Sequence, residues 1–161
     1  MMIDLEALER IKNLIANKPI ENANCFSTAL YVVGLRPSVD AVDESTFHAI
    51  VSKHCRKLHA NEPVLPGDIV CLTYNNHMTI PSYQHAFVTY LSGCIFHKAG
   101  PHHEPFEITS VRQVIMWYLP KLARFLTEAS SVADLQRVDH RVLVFRRRKH
   151  VISPLSQCTL L

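Results

Sequence analysis

The chain has 161 residues, 48% of them apolar and 19% charged, with a formal net charge of +3. That length suits one domain with its own core. The charge is too small to argue for a nucleic-acid or membrane-surface partner, and no apolar run approaches the ~18 residues of a membrane span. Five cysteines at irregular spacing, with no Cys-x-x-Cys pair, argue against a disulfide framework and against a zinc site of that type, and they predict a reducing compartment.

The N-terminal Met1-Met2-Ile3-Asp4-Leu5-Glu6 is acidic and amphipathic and lacks the basic-then-apolar order of a secretory signal. The expected location is therefore the cytoplasm, or export without a cleaved signal peptide. Asp4 can cap a first helix over 5–17, in which Leu5, Leu8, Ile11, Leu14 and Ile15 form an apolar stripe and Pro19 marks the end. The next stretch, 22–34, predicts a short helix that opens with a cysteine. Asn24 is a good N-cap, Phe26, Ala29, Leu30 and Val33 fall at helical spacing, and Gly34 suits the left-handed position past the end. A cysteine in that first turn sits at the positive pole of the helix dipole, which favours the thiolate, and its own N–H is left free for a developing oxyanion. A third helix is predicted over 44–58, with Cys55 and His59 read as structural.

After Pro66-Gly67 the pattern changes to strands. They are predicted over 69–74, 84–91 and 94–99, with a turn at Ser92-Gly93 and a short edge strand over 106–108. Residues 35–43 and 75–84 are candidate cleft walls. Ser110 can cap a helix over 111–118, interrupted at Pro120 and continued over 121–127, while 130–134 has no clear signal. Val142-Leu143-Val144-Phe145 predicts a last strand. The run Arg146-Arg147-Arg148-Lys149-His150 is read as a charged strand end protecting a sheet edge rather than as a nucleic-acid patch. Helices first and hairpins later indicate an α+β fold, with N-terminal helices on an antiparallel sheet, in a single domain over 1–152 followed by a tail over 153–161.

A cysteine nucleophile needs a base, and the base needs a partner to hold its ring. His85 and His97 lie twelve residues apart across the predicted hairpin. A two-residue turn would send them to opposite faces. A three-residue loop, Leu91-Ser92-Gly93, pairs Tyr90 with Cys94 and Phe87 with His97, which leaves the two histidines on one face as diagonal neighbours. That loop type favours glycine at its last position, where Gly93 stands. A five-residue loop would set them directly opposite. Glu104, Glu107 and Gln84 are the fallback partners for His85, and a metal cluster of His97 with His102 and His103 is the competing reading, although the spacing matches no standard site.

A cysteine at a helix start, Pro-Gly-Asp-Ile-Val opening a strand, His-Ala-Phe-Val-Thr-Tyr-Leu and then Ile-Phe-His are together similar to the NlpC-type papain-like cysteine peptidases, bacterial enzymes that commonly cut cell-wall peptides. The resemblance covers 22–99. It implies a papain-like fold in which Cys25 attacks, His85 is the base and His97 orients it, with no cofactor. It also implies a thiol hydrolase acting on an amide bond, with a peptide or peptidoglycan-like molecule as candidate substrate and no nucleic-acid or membrane partner. A deamidase or acyltransferase on the same scaffold and a catalytically dead papain-like binding module are the alternatives. The oligomeric state has no signal in the sequence. The triad reading further predicts a depressed thiol pKa coupled to a raised His85 pKa.

Overall fold

A computed structural model describes residues 4–17, 22–74, 82–91, 93–100 and 104–148. The segments 75–81 and 101–103, and the tail from residue 149, lie outside the described residues, and with them most of the candidate cleft wall at 75–84 and the predictions made for His102, His103 and the C-terminal tail. The fold is mixed α+β. Helices α1 (Leu5–Ala16), α2 (Cys25–Val32) and α3 (Glu44–His54) precede a six-stranded sheet, and α4 (Val111–Tyr118), α5 (Pro120–Ala123) and α6 (Val132–Val138) precede its last strand. The strands are β1 (Cys55–Lys57), β2 (Ile69–Thr73), β3 (Tyr83–Thr89), β4 (Cys94–Lys98), β5 (Phe106–Ser110) and β6 (Val142–Arg147), in the spatial order β1-β6-β2-β3-β4-β5. Every pairing is antiparallel. Among the described residues no helix is long and apolar enough to cross a membrane.

Two apolar layers sandwich the sheet. Cys71, Ala86, Val88 and Phe96 face α1, α2 and α3, where Ile11, Leu30 and Phe47 meet them. Val70, Leu72, Phe87 and Ile95 face α4 to α6 and pack on Val114, Ile115 and Leu135. Alternation along each strand thus sends successive side chains to different helical layers.

Three predicted elements need correction. The third helix ends at His54, not residue 58, because Cys55, Arg56 and Lys57 pair with Arg147, Arg146 and Phe145. The helix after Pro120 stops at Ala123. The basic strand end does not protect an edge, since β1 lies outside β6. Its arginines are fasteners: Arg146 donates Nε to Asp68 Oδ1 at 2.9 Å and Nη2 to Asp68 Oδ2 at 2.8 Å, and Arg147 donates to the Val33 carbonyl at 2.8 Å. The stretch around residues 130–134 resolves into a capped helix start, with Ser131 and Asp134 forming a reciprocal capping box.

The hairpin of β3 and β4 has the three-residue-loop register. Val88 pairs with Phe96 and Thr89 with Ile95, and the Tyr90 N–H donates to the Cys94 carbonyl at 3.1 Å. Gly93 has φ +77°, the left-handed conformation the loop requires.

Candidate active site

Cys25 is the first residue of α2, and the residue before it is fixed from both sides. Asn24 Oδ1 accepts the Ser27 N–H at 2.8 Å, and Ser27 Oγ accepts the Asn24 N–H at 3.1 Å. Asn24 Nδ2 then donates to the Val42 carbonyl and Ser27 Oγ to the Val39 carbonyl, both at 2.7 Å, which ties the helix start to the segment that follows α2. With the cap serving the third turn position, the N–H groups of Cys25 and Phe26 remain available at the sulfur.

The sulfur also meets the N–H of Ala86 on β3. This contact follows from how the sheet is built. The β3–β4 ladder comprises Val88↔Phe96 and Thr89↔Ile95 and stops short of Ala86 and Lys98. Thr89 directs its N–H to Asp68 on the β2 side, at 3.0 Å. Alternation along the strand therefore directs the Ala86 N–H to the β4 side, where the ladder has ended. Cys25 enters this gap from the α2 layer and takes the unspent donor. A bulge just upstream, where the register shifts between Leu72↔His85 and Thr73↔Tyr83, sets Gln84 as the extra residue beside His85.

His85 and His97 point into the α4 layer and hydrogen-bond directly, Nε2 to Nδ1 at 2.8 Å. Glu107 stands opposite His97 in the β4–β5 register, and its Oε1 lies 2.9 Å from His97 Nε2. The order of these contacts fixes the protons. A carboxylate only accepts, so His97 Nε2 carries a hydrogen; His97 Nδ1 then holds a lone pair and accepts from His85 Nε2–H. His85 Nδ1 is left with its lone pair, which is the state a base requires. Tyr118, at the end of α4, stacks on the His85 ring with centroids 4.2 Å apart and planes 13° from parallel. Gln84 does not approach the relay but donates its amide to the Tyr118 carbonyl at 3.2 Å, holding that ring in place.

Electrostatically, this is a neutral site at rest. Burial pushes the Cys25 thiol up to about 11, against the N–H groups of Ala86, Phe26 and Cys25 and the charge of Lys98, which all favour the thiolate. Burial, reinforced by His97, holds His85 well below the usual imidazole range. His97 is lowered by burial as well, with the hydrogen bond and charge of Glu107 opposing. The expected pairing of a low thiol pKa with a raised histidine pKa is therefore reversed, because at the buried end of β3 desolvation outweighs the helix start. Among the described residues no hydrogen bond joins Cys25 to His85. The thiol faces Ala86, and His85 is the next residue along the strand.

The structure thus joins His85, His97 and Glu107 through hydrogen bonds and brings Cys25 to the strand position adjoining His85. Glu107 stands behind His97, not in its place. Tyr118 and the buried Lys98 are components that spacing did not disclose. The α4 helix has an amphipathic signal but nothing that marks its last tyrosine, and a lysine after His97 reads as an exposed strand end. Comparison of the chain with protein-family models, with characterised proteins and with solved structures finds no match.

Proposed function

We propose that the protein is a papain-like, NlpC-type thiol hydrolase that cleaves an amide bond, with Cys25 as nucleophile, His85 as base and His97 as the group that orients it. The observation that carries the reading is the directed relay Glu107–His97–His85, which leaves a lone pair on His85 Nδ1 one residue from the strand position where the Cys25 sulfur sits.

In this mechanism, substrate binding brings the sulfur and His85 Nδ1 together, as catalytic hydrogen bonds often tighten only in the complex. The sulfur attacks the amide carbonyl while its proton passes to His85 Nδ1. The oxyanion takes the N–H of Cys25, left unspent at the helix start. His85 returns the proton to the departing amine, leaving a thioester on Cys25. Water then attacks the thioester as His85 accepts its proton, and the thiol is restored as the carboxylic acid leaves. The positive charge on His85 in each half-reaction is shared through His97 with the Glu107 carboxylate.

Peptides of bacterial cell wall are the first substrate class to test. Stem peptides prepared from purified peptidoglycan, incubated with the protein, are expected to yield new free amino groups, and Cys25→Ala to yield none. Equal release by wild type and Cys25→Ala would refute the assignment of the nucleophile.

A further inference from the structure

Strand β3 fixes the Cβ of His85, and the 2.8 Å contact with His97 Nδ1 fixes its Nε2. Two points define a line and not a plane. A hydrogen bond is sensitive to distance and to the angle at hydrogen, and it scarcely resists rotation about its own axis. The torsion that turns an imidazole on its Cβ is itself broad. The His97 ring stands 81° from the plane of His85, with centroids 5.1 Å apart, so it offers His85 no face to lie on. Phe87, two residues on along the same face of β3, is tilted by 37° and does not share the plane either. A base held only at Cβ and Nε2 would leave the direction of its Nδ1 lone pair open.

Tyr118 supplies a plane. Its ring lies face to face with His85, centroids 4.2 Å apart and planes 13° from parallel. The ring is itself tied at both ends. Tyr118 is the last residue of α4, and a carbonyl in a last helical turn has no partner within the helix. Gln84 Nε2 donates to that carbonyl at 3.2 Å. At the other end the phenol donates to the carbonyl of Ala99, just past β4, at 3.3 Å. Burial raises the phenol to about 12, so this hydrogen stays on the oxygen throughout the neutral range. Gln84 is available as a donor because of the bulge: the register passes from Leu72↔His85 to Thr73↔Tyr83 and leaves Gln84 as the extra residue. Tyr118 therefore spans the two strands that carry the histidines, anchored one residue before His85 and two residues after His97.

We infer that Tyr118 is a positioning residue: clamped between Gln84 and the Ala99 carbonyl, its ring fixes the plane of His85 and so aims Nδ1. The inference rests on the thiol-hydrolase reading for its place in catalysis, while the hold on the ring is a property of the fold that can be read without turnover. Tyr118 acts through His85; its hydroxyl is engaged with Ala99 and exchanges no proton with the relay. The lever is long. Turning the His85 ring by about 30° about the line from Cβ to Nε2 moves an atom at hydrogen-bond distance from Nδ1 by more than about 1 Å, a misplacement of the size that costs about a hundredfold in rate. A tyrosine that only filled space under α4 would cost stability when shortened, without loosening the histidine ring and without lowering kcat selectively.

The test is the order of the His85 ring, read from carbon-13 relaxation at its Cε1–H in wild type, Tyr118→Leu and Tyr118→Phe, with melting curves to establish folding. Tyr118→Leu keeps an apolar side chain under α4 and removes the flat face; the His85 order parameter is expected to fall from the rigid range, about 0.85, to below about 0.6. Tyr118→Phe keeps the face and loses only the contact with Ala99, and it is expected to stay close to wild type. Unchanged His85 order in a folded Tyr118→Leu protein overturns the inference. Where Tyr118→Leu does not fold, Gln84→Met reads the same clamp with the tyrosine ring in place: it keeps the length of the side chain, removes the donor and is expected to lower the order part of the way, and unchanged order there overturns the inference too. On stem peptides, Tyr118→Leu is expected to lower kcat about a hundredfold with KM within about threefold, and Tyr118→Phe to lose no more than about threefold in kcat. Equal losses in the two variants would assign the effect to the hydroxyl and overturn the inference. If no stem peptide is cleaved while the ring loosens as expected, the hydrolase reading falls and the clamp stands; if cleavage needs Cys25 and His85 while the ring does not loosen, the clamp falls and the hydrolase reading stands.

Discussion

Glu107→Gln isolates the contribution of the carboxylate at the end of the relay. The amide oxygen of glutamine still accepts from His97 Nε2–H, so the tautomers and the His85–His97 contact of 2.8 Å are kept, and only the negative charge is removed. Across two hydrogen bonds and the intervening ring, Glu107 lies about 8 Å from the His85 ring; at an effective dielectric of about 40 the charge is worth about 1 kcal/mol to the His85 imidazolium. The dielectric is set between interior and bulk because the Glu107 side chain is 41% exposed and partly screened by water. An energy of that size corresponds to about fivefold in rate. The assay is the pH profile of Cys25 alkylation, in wild type and Glu107→Gln, with melting curves to establish that both are folded. The expected result is a loss of about fivefold near pH 7. Superimposable profiles would mean that the relay ends at His97 and that Glu107 is only a strand residue that happens to face it.

On stem-peptide turnover, His85→Ala is expected to remove nearly all activity, at least about a thousandfold, while His97→Ala leaves a measurable remnant because an orienting group contributes less than the base it orients; equal loss in the two would contradict the division of roles. Stability is expected to be flat between about pH 7 and 8 and to fall as pH drops through about 6.5, because unfolded His85 takes up a proton near 6.5 while the folded state, with its pKa held lower by burial, stays neutral. His97 acts in the same direction, and each group contributes up to about 1.4 kcal/mol per pH unit; urea unfolding from pH 7.5 to 5 measures it, and His85→Gln is expected to flatten the slope. Asp68→Asn is expected to cost about 3 kcal/mol by urea unfolding, since it leaves the Arg146 guanidinium facing a buried neutral amide in place of its two-pronged carboxylate; a cost below about 1 kcal/mol would mean that this pair does not fasten β6 to β2.

What the sequence disclosed was local chemistry. The caps of α2 and α4 were legible because Asn24 and Ser110 act on N–H groups three residues away. The shared face of His85 and His97 was legible because one glycine, Gly93, selects the loop and the loop selects the register. The features that were misread or missed depend on distant parts of the chain. Cys55 continues a helical pattern, yet it becomes a strand because Arg147 arrives beside it from the far end of the sequence. The arginine run resembled an edge because the strand order places β1 outside β6 only after folding. Glu107 meets His97 through the register of β4 and β5, whose connection shows a break at Gly100-Pro101 but no signal that sets the register, and Tyr118 meets His85 through the docking of α4. Thiol ionisation is the least legible quantity. It is a balance between burial, backbone donors and Lys98, and no residue type taken alone gives its sign.

The central claim is that His85 is the base that serves Cys25. Its most direct test is the rate of Cys25 alkylation by iodoacetamide at pH 7, compared between wild type and His85→Ala, with Cys94, which is also partly exposed, followed as the internal reference in the same samples. If His85 Nδ1 draws the proton from the sulfur, His85→Ala slows Cys25 at least about tenfold while leaving Cys94 unchanged. Equal Cys25 rates in the two proteins would contradict the claim.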